Sequence, residues 1–108
     1  MVLDIGCATG TQCDDLAANV KQVAGIDISG KFLKIAEKRK AARNIDNVEF
    51  IKTTVFDERF KPGQFDVVMA FYVLHFYEDV DGVIKRIHNL LKPGGLFVLE
   101  TACLGNEI

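Results

Sequence analysis

The chain has no apolar run approaching the ~20 residues a membrane-spanning helix requires, and its N-terminus lacks the basic-then-apolar pattern of a secretory leader. Prolines number two and no segment is of low complexity, which excludes disordered and fibrous readings. Charge of one sign is not in excess. Thirteen basic against 15 acidic side chains leave a formal charge of −2, so the overall balance recruits neither nucleic acid nor an anionic membrane. Cysteines are few and odd in number. Cys7, Cys13 and Cys103 fit no zinc spacing, so free thiols in a reducing, cytoplasmic compartment are expected, with no metal. What remains is 108 residues, 49% hydrophobic and 26% charged. That is the composition of one globular domain over residues 1–108, which buries roughly two thirds of the surface its extended chain exposes.

Short apolar or β-branched runs alternate with helical spacing. MVLDI, QVAGIDI, VEFIKT, FDVVMAF and GLFVLET read as strands, and DVVMAF, apolar on both faces, suits a strand covered on each side. From Asp79 to Leu91, Val80, Val83, Ile84, Ile87, Leu90 and Leu91 form one helical stripe, which KPGG ends. Lys31 to Arg43 forms a second helix, with Phe32, Leu33, Ile35, Ala36 and Ala42 inward and Ser29 as N-cap. Asp14 to Val20 is a weaker third helix. Such alternation predicts an α/β fold, a three-layer αβα sandwich on a parallel, doubly wound, Rossmann-like sheet of about five strands in the order 3-2-1-4-5. Ligands then bind at the carboxyl ends of the strands, near the switch point between the strands ending at Ile5 and Phe71.

The turn after the first strand is Asp4-Ile5-Gly6-Cys7-Ala8-Thr9-Gly10. Glycine there lets backbone N–H groups approach a ligand. A dinucleotide fingerprint beginning at Gly6 needs glycine at 8 and 11, where Ala8 and Thr11 stand. A phosphate loop needs Gly-Lys-Ser/Thr, where Gly10-Thr11-Gln12 stands.

The turn resembles the first motif of the class I S-adenosylmethionine-dependent methyltransferases, with Ala8 in place of the middle glycine. The resemblance continues in order through VAGIDIS, VEFIKTTVFDERF, FDVVMAFYVLHFYED and LKPGGLFVLE. It implies S-adenosylmethionine held by Asp4, Gly6, Cys7, Ala8 and Gly10, with Asp27 on the ribose hydroxyls. It further implies carbonyls near Gly6 and Ala70 on the methionine amino group, Ile28 and Val55 around adenine, and Thr54 where the family commonly carries an acid. Asp57 is a nearby substitute for that acid. A carboxylate at position 27 also suits a nicotinamide cofactor, which keeps an oxidoreductase as a rival reading.

The resemblance implies methyl transfer to a small-molecule acceptor, and His75 is the candidate base. Phe71, Tyr72, Phe76 and Tyr77 serve either an acceptor pocket or the core. Glu78, Asp79 and Asp81 are read as helix-start acids before a metal set. His88 carries no assigned role, and the basic run from Lys31 to Arg43 is read as a solvated face with no nucleic-acid role. Relatives continue for two more strands, so the chain is expected to be truncated after its fifth. GLFVLET then becomes a sheet edge open to self-association. A non-catalytic cofactor-binding or partner-binding module derived from a methyltransferase is the alternative function.

Overall fold

The computed structural model describes residues 1–71 and 73–100, without the side chain of His75; Tyr72, Thr101 and Cys103 lie outside the described residues. The apolar runs form five parallel strands: β1 (Val2–Ile5), β2 (Val23–Asp27), β3 (Val48–Lys52), β4 (Phe65–Phe71) and β5 (Leu91–Glu100). Their order is β3-β2-β1-β4-β5, as the alternation predicts. Three helices, α1 (Thr11–Ala17), α2 (Gly30–Ala42) and α3 (Val80–Leu90), make three of the four crossovers, and the chain passes from β3 to β4 without a helix.

Strand β1 is buried at every residue, because strands flank it on both edges and side chains cover both faces. Leu3 and Ile5 point into a core with Ile26, Phe65, Val68 and the α3 residues Val83, Ile87 and Leu90. Val2 points the opposite way, into a second core with Val23, Val48, Cys13 of α1 and Leu33 of α2. Ile5 pairs with Ile26 on one side and Ala70 on the other. The crevice at the carboxyl ends of β1, β2 and β4 is therefore the ligand position of a doubly wound sheet.

Three local expectations are corrected. Helix α1 begins at Thr11, not Asp14, because Gly10 at φ 80° turns the chain straight into the helix, and the Asp14 N–H donates to the Gly10 carbonyl at 2.9 Å. It ends early, at Ala17, whose carbonyl accepts from Asn47 Nδ2 at 2.7 Å, with Val20 O at 3.0 Å on the same amide. Helix α2 starts where expected, with Ser29 Oγ accepting from the Phe32 N–H at 3.2 Å. Its inner stripe is narrower: Leu33 and Ala36 are buried, while Phe32 and Ile35 are 43% and 42% exposed and Ala42 is exposed as well. Strand β5 begins at Leu91, opposite Phe65, and the next pair is Val67 with Leu96, so Lys92 to Gly95 bulge from the ladder. Gly94 sits at φ 79°, and a Cβ on Gly95 would lie 2.9 Å from the Lys92 carbonyl, so the bulge needs both glycines.

Asp79 caps α3, accepting from the Gly82 N–H at 2.9 Å, and His88 is exposed on the outer face of that helix. Leu96 and Leu99 of the edge strand β5 are 58% and 45% exposed. No helix among the described residues is long and apolar enough to cross a membrane.

Candidate functional site

Beyond Ile5 the chain turns through three left-handed residues, Gly6 (φ 73°), Ala8 (φ 50°) and Gly10 (φ 80°). The turn is tied to β2, since the N–H groups of Gly6 and Cys7 both donate to the Ile26 carbonyl, at 2.8 and 2.9 Å. Glycine is required twice for space as well as φ. A Cβ at Gly6 would come 2.6 Å from Val73, and one at Gly10 would come 2.6 Å from the Phe50 ring. Ala8 adopts the positive φ that alanine disfavours by roughly 1–2 kcal/mol. A charge-assisted hydrogen bond compensates: the Ala8 N–H donates to Asp27 Oδ2 at 2.9 Å.

Asp27 ends β2. Its Oδ1 accepts from the Ser29 N–H at 2.9 Å, so both oxygens are fixed and each keeps a lone pair for a further donor. Under the turn, Asp4 is buried and its Oδ2 accepts from the Cys13 thiol at 3.3 Å. Burial pushes the Asp4 carboxyl up to about 6, against the Cys13 hydrogen bond, with the charge of Asp27 adding to the rise. The Cys13 thiol is itself pushed far up by a hydrogen bond with Cys7, by burial and by the charge of Asp4.

The turn and Asp27 edge a cavity of about 600 Å³, within the size range of small-molecule and cofactor sites. Gly6 and Ala8 form one end. Asp27, Ile28, Ser29 and Phe32 form a wall from β2 and the start of α2, and Thr53 and Thr54 a second from the end of β3. Phe71, Val73, Phe76 and Tyr77 form the third. Of the aromatic cluster, Phe71, Phe76 and Tyr77 thus line the cavity, although Tyr77 also packs against the core and bonds the Val55 backbone. Burial raises the Tyr77 phenol above its usual range, against that hydrogen bond. Phe56 meets the Tyr77 ring edge-on at 6.3 Å between centroids.

Of the residues singled out from sequence, Gly6, Ala8, Asp27, Ile28 and Thr54 stand on the cavity wall. Asp4, Cys7, Gly10, Val55 and Ala70 are buried behind it. Asp57 is turned elsewhere: it holds Arg59 at 3.0 Å (Nε) and 2.6 Å (Nη2) and accepts from the Thr53 hydroxyl at 2.8 Å. Those hydrogen bonds, Arg59 foremost, hold its carboxyl well below the usual carboxylate range. His75 falls in a single 3-10 turn, Leu74–Phe76, beside the aromatic wall; its side chain is outside the described residues. Sequence reasoning missed Ser29 as a cavity residue, and also Phe32 and Val73. No motif marks them, and Phe32 has the spacing of a core residue.

A sequence profile described as "Methyltransferase domain" matches residues 3–99. The chain belongs to that family. The methyltransferase domain is 33% identical over 101 residues to a ubiquinone biosynthesis O-methyltransferase of Albidiferax ferrireducens, covering 93% of this chain and 40% of that protein. It is 36% identical over 105 residues to a demethylmenaquinone methyltransferase of Lactococcus lactis, covering 94% and 42%. It superposes on the crystal structure of an S-adenosylmethionine-dependent methyltransferase from Mesorhizobium loti with a TM-score of 0.82 at 29% identity, covering 93% and 45%. The chain therefore spans about two fifths of the length of the curated relatives it matches.

Proposed function

We propose that this methyltransferase domain binds S-adenosylmethionine in the 600 Å³ cavity and acts, within its whole protein, on a small-molecule acceptor with a quinone-like or hydroxylated aromatic ring. The carrying observation is Asp27: its carboxylate is held by two backbone N–H groups on the cavity wall, and each oxygen retains acceptor capacity. That arrangement suits a vicinal diol such as a ribose. The fit of the remaining residues supports the same ligand. The Gly6–Gly10 turn leaves room for an amino-acid tail, Ile28 offers an apolar face for a base, and the Thr53 and Thr54 hydroxyls offer polar partners for its edge. The names of the Albidiferax and Lactococcus relatives favour a quinone-type acceptor, and the wall of Phe71, Val73, Phe76 and Tyr77 offers such a ring apolar and aromatic surface.

The cofactor supplies an activated sulfonium methyl group when bound, so the chain's own work is alignment and exclusion of water. Holding two reactants in line is worth roughly 7–11 kcal/mol. Asp27 and the turn orient one partner, and the aromatic wall the other. His75 is the proposed base that takes the acceptor's proton, a role worth about 10²–10⁴ in rate.

Calorimetry with S-adenosylmethionine and S-adenosylhomocysteine, followed by a methyl-transfer assay on a panel of quinols, tests the reading. Saturable binding of both is expected, and methylation of a quinol in which replacement of His75 by alanine lowers kcat with little change in cofactor affinity. Folded protein that ignores both ligands at millimolar concentration refutes it. Thr54, where an acid is common in the family, and Ala8 in place of the middle glycine favour one second reading: binding without turnover on any acceptor would identify a cofactor-binding module.

A further inference from the structure

Between Lys52 and Phe65 the chain has neither helix nor strand, yet it supplies Thr53 and Thr54 to the cavity. Backbone carbonyls of such a segment need partners when they turn inward. Three of them converge on one guanidinium. Arg86 of α3 donates from Nε to the Val55 carbonyl at 3.1 Å, and from Nη2 to those of Asp57 at 2.9 Å and Phe60 at 3.0 Å. Its Nη1 donates to Asn89 Oδ1 at 3.1 Å, which steadies the fork on its own helix.

We propose that Arg86 is a positioning residue for the base-binding wall of the cavity: it lines no part of the cavity itself and, through the Val55 backbone behind the wall, holds Thr53 and Thr54 at the height where they meet the edge of a purine. This rests on the reading of the cavity as a nucleoside-cofactor site. Besides the Val55 side chain, which is buried in the core, the wall has few other hydrogen bonds to the body of the fold among the described residues. The Thr53 N–H donates to the Asp27 carbonyl at 3.2 Å, and the Val55 backbone bonds the Tyr77 phenol, itself a cavity residue. The Phe60 ring is buried against Phe65 at 5.6 Å and anchors the far end of the segment, so Arg86 bridges anchored and ligand-facing parts. A lysine cannot substitute: one ammonium on a flexible stem does not reproduce a planar fork that meets three carbonyls at once.

The test is base discrimination, which a general loss of stability does not alter. Binding of S-adenosylhomocysteine and of its inosine analogue is measured by calorimetry for the wild type, Arg86→Ala and Arg86→Lys, well below each protein's unfolding midpoint. The wild type is expected to prefer the adenine ligand, because a site that hydrogen-bonds one base edge leaves polar groups unpaired against the other. Both variants are expected to bind S-adenosylhomocysteine about ten-fold more weakly and to lose most of that preference. Hydrogen exchange should show faster amide exchange over residues 53–60 in the variants, with β1 and β4 unchanged. Variants that keep the wild-type preference, whether at full or reduced affinity, overturn the proposal. If Arg86→Ala does not fold, Arg86→Lys alone decides by the same criterion. A wild type that binds neither ligand removes the cofactor reading itself, and the proposal with it, whereas a wild type that binds and discriminates leaves any failure to Arg86.

Discussion

The Ala8 amide, nineteen residues before Asp27 in the chain, donates to Asp27 Oδ2 at 2.9 Å and joins the turn after β1 to the end of β2. One carboxylate thus has two duties: it offsets the left-handed strain at Ala8 and presents its remaining lone pairs to the cavity. The cavity is preorganised by the same bond that makes its alanine tolerable.

Replacing Asp27 by alanine should weaken S-adenosylhomocysteine binding by more than ten-fold and also lower stability, since the Ala8 and Ser29 amides both lose a charged acceptor worth about 1.5–3 kcal/mol each. Calorimetry and thermal melts of the same preparation report the two effects separately. An unaltered affinity would remove Asp27 from the site.

Gly10→Ala should destabilise the fold by about 1–3 kcal/mol, because the new Cβ would sit 2.6 Å from the Phe50 ring and 3.2 Å from Ala36 at a φ of 80°. Urea unfolding monitored by circular dichroism measures it. Gly63→Ala is the control for φ alone, since at φ 67° its Cβ would meet nothing within 4 Å, and it should cost less.

Asp4 makes stability depend on pH in a defined direction. Its carboxyl sits at about 6 in the fold against 3.8 when free, so between about pH 4 and 6 the native state binds the extra proton. Stability from this group is therefore greatest below about pH 4, falls as pH rises and levels off above about pH 6, the total being about 3 kcal/mol. Asp4→Asn should flatten the stability profile across that window. A wild-type profile in which this window rises or stays level relative to the variant would contradict the buried, proton-holding carboxyl.

Cys13 should resist alkylation at neutral pH in the folded protein and react readily in urea. It is fully buried and its thiol is held protonated by Cys7, by burial and by the charge of Asp4. Peptide mapping after iodoacetamide treatment reads this directly, and prompt labelling of Cys13 under native conditions would show that the turn opens.

Periodicity alone sufficed for the order of strands and helices and the Ser29 cap, because each depends on spacing within a few residues; the α3 stripe is narrower than its spacing implies, since Ile84 is 40% exposed and Leu91 opens β5. The sheet order followed from the doubly wound topology that alternating strands and helices imply. Element ends were harder. Helix α1 stops where Asn47, far along the chain, takes its last carbonyl, and β5 starts before its bulge because Leu91 finds Phe65 as a partner. Such ends are decided by contacts that no local window contains.

The site divides the same way. Asp27 and the Gly6–Gly10 turn, both on the cavity, could be named from sequence because their motifs resemble those of the family and because glycine is the residue type that such a backbone demands. Only the tertiary structure decided that Val55 lies behind the cavity wall, that Asp57 is spent on Arg59 and Thr53, and that Phe32 turns outward to edge the cavity. It alone brought Arg86 under three carbonyls of a segment more than 25 residues away. A guanidinium reaching main-chain oxygens leaves no trace in residue type at the accepting positions, since every residue carries a carbonyl.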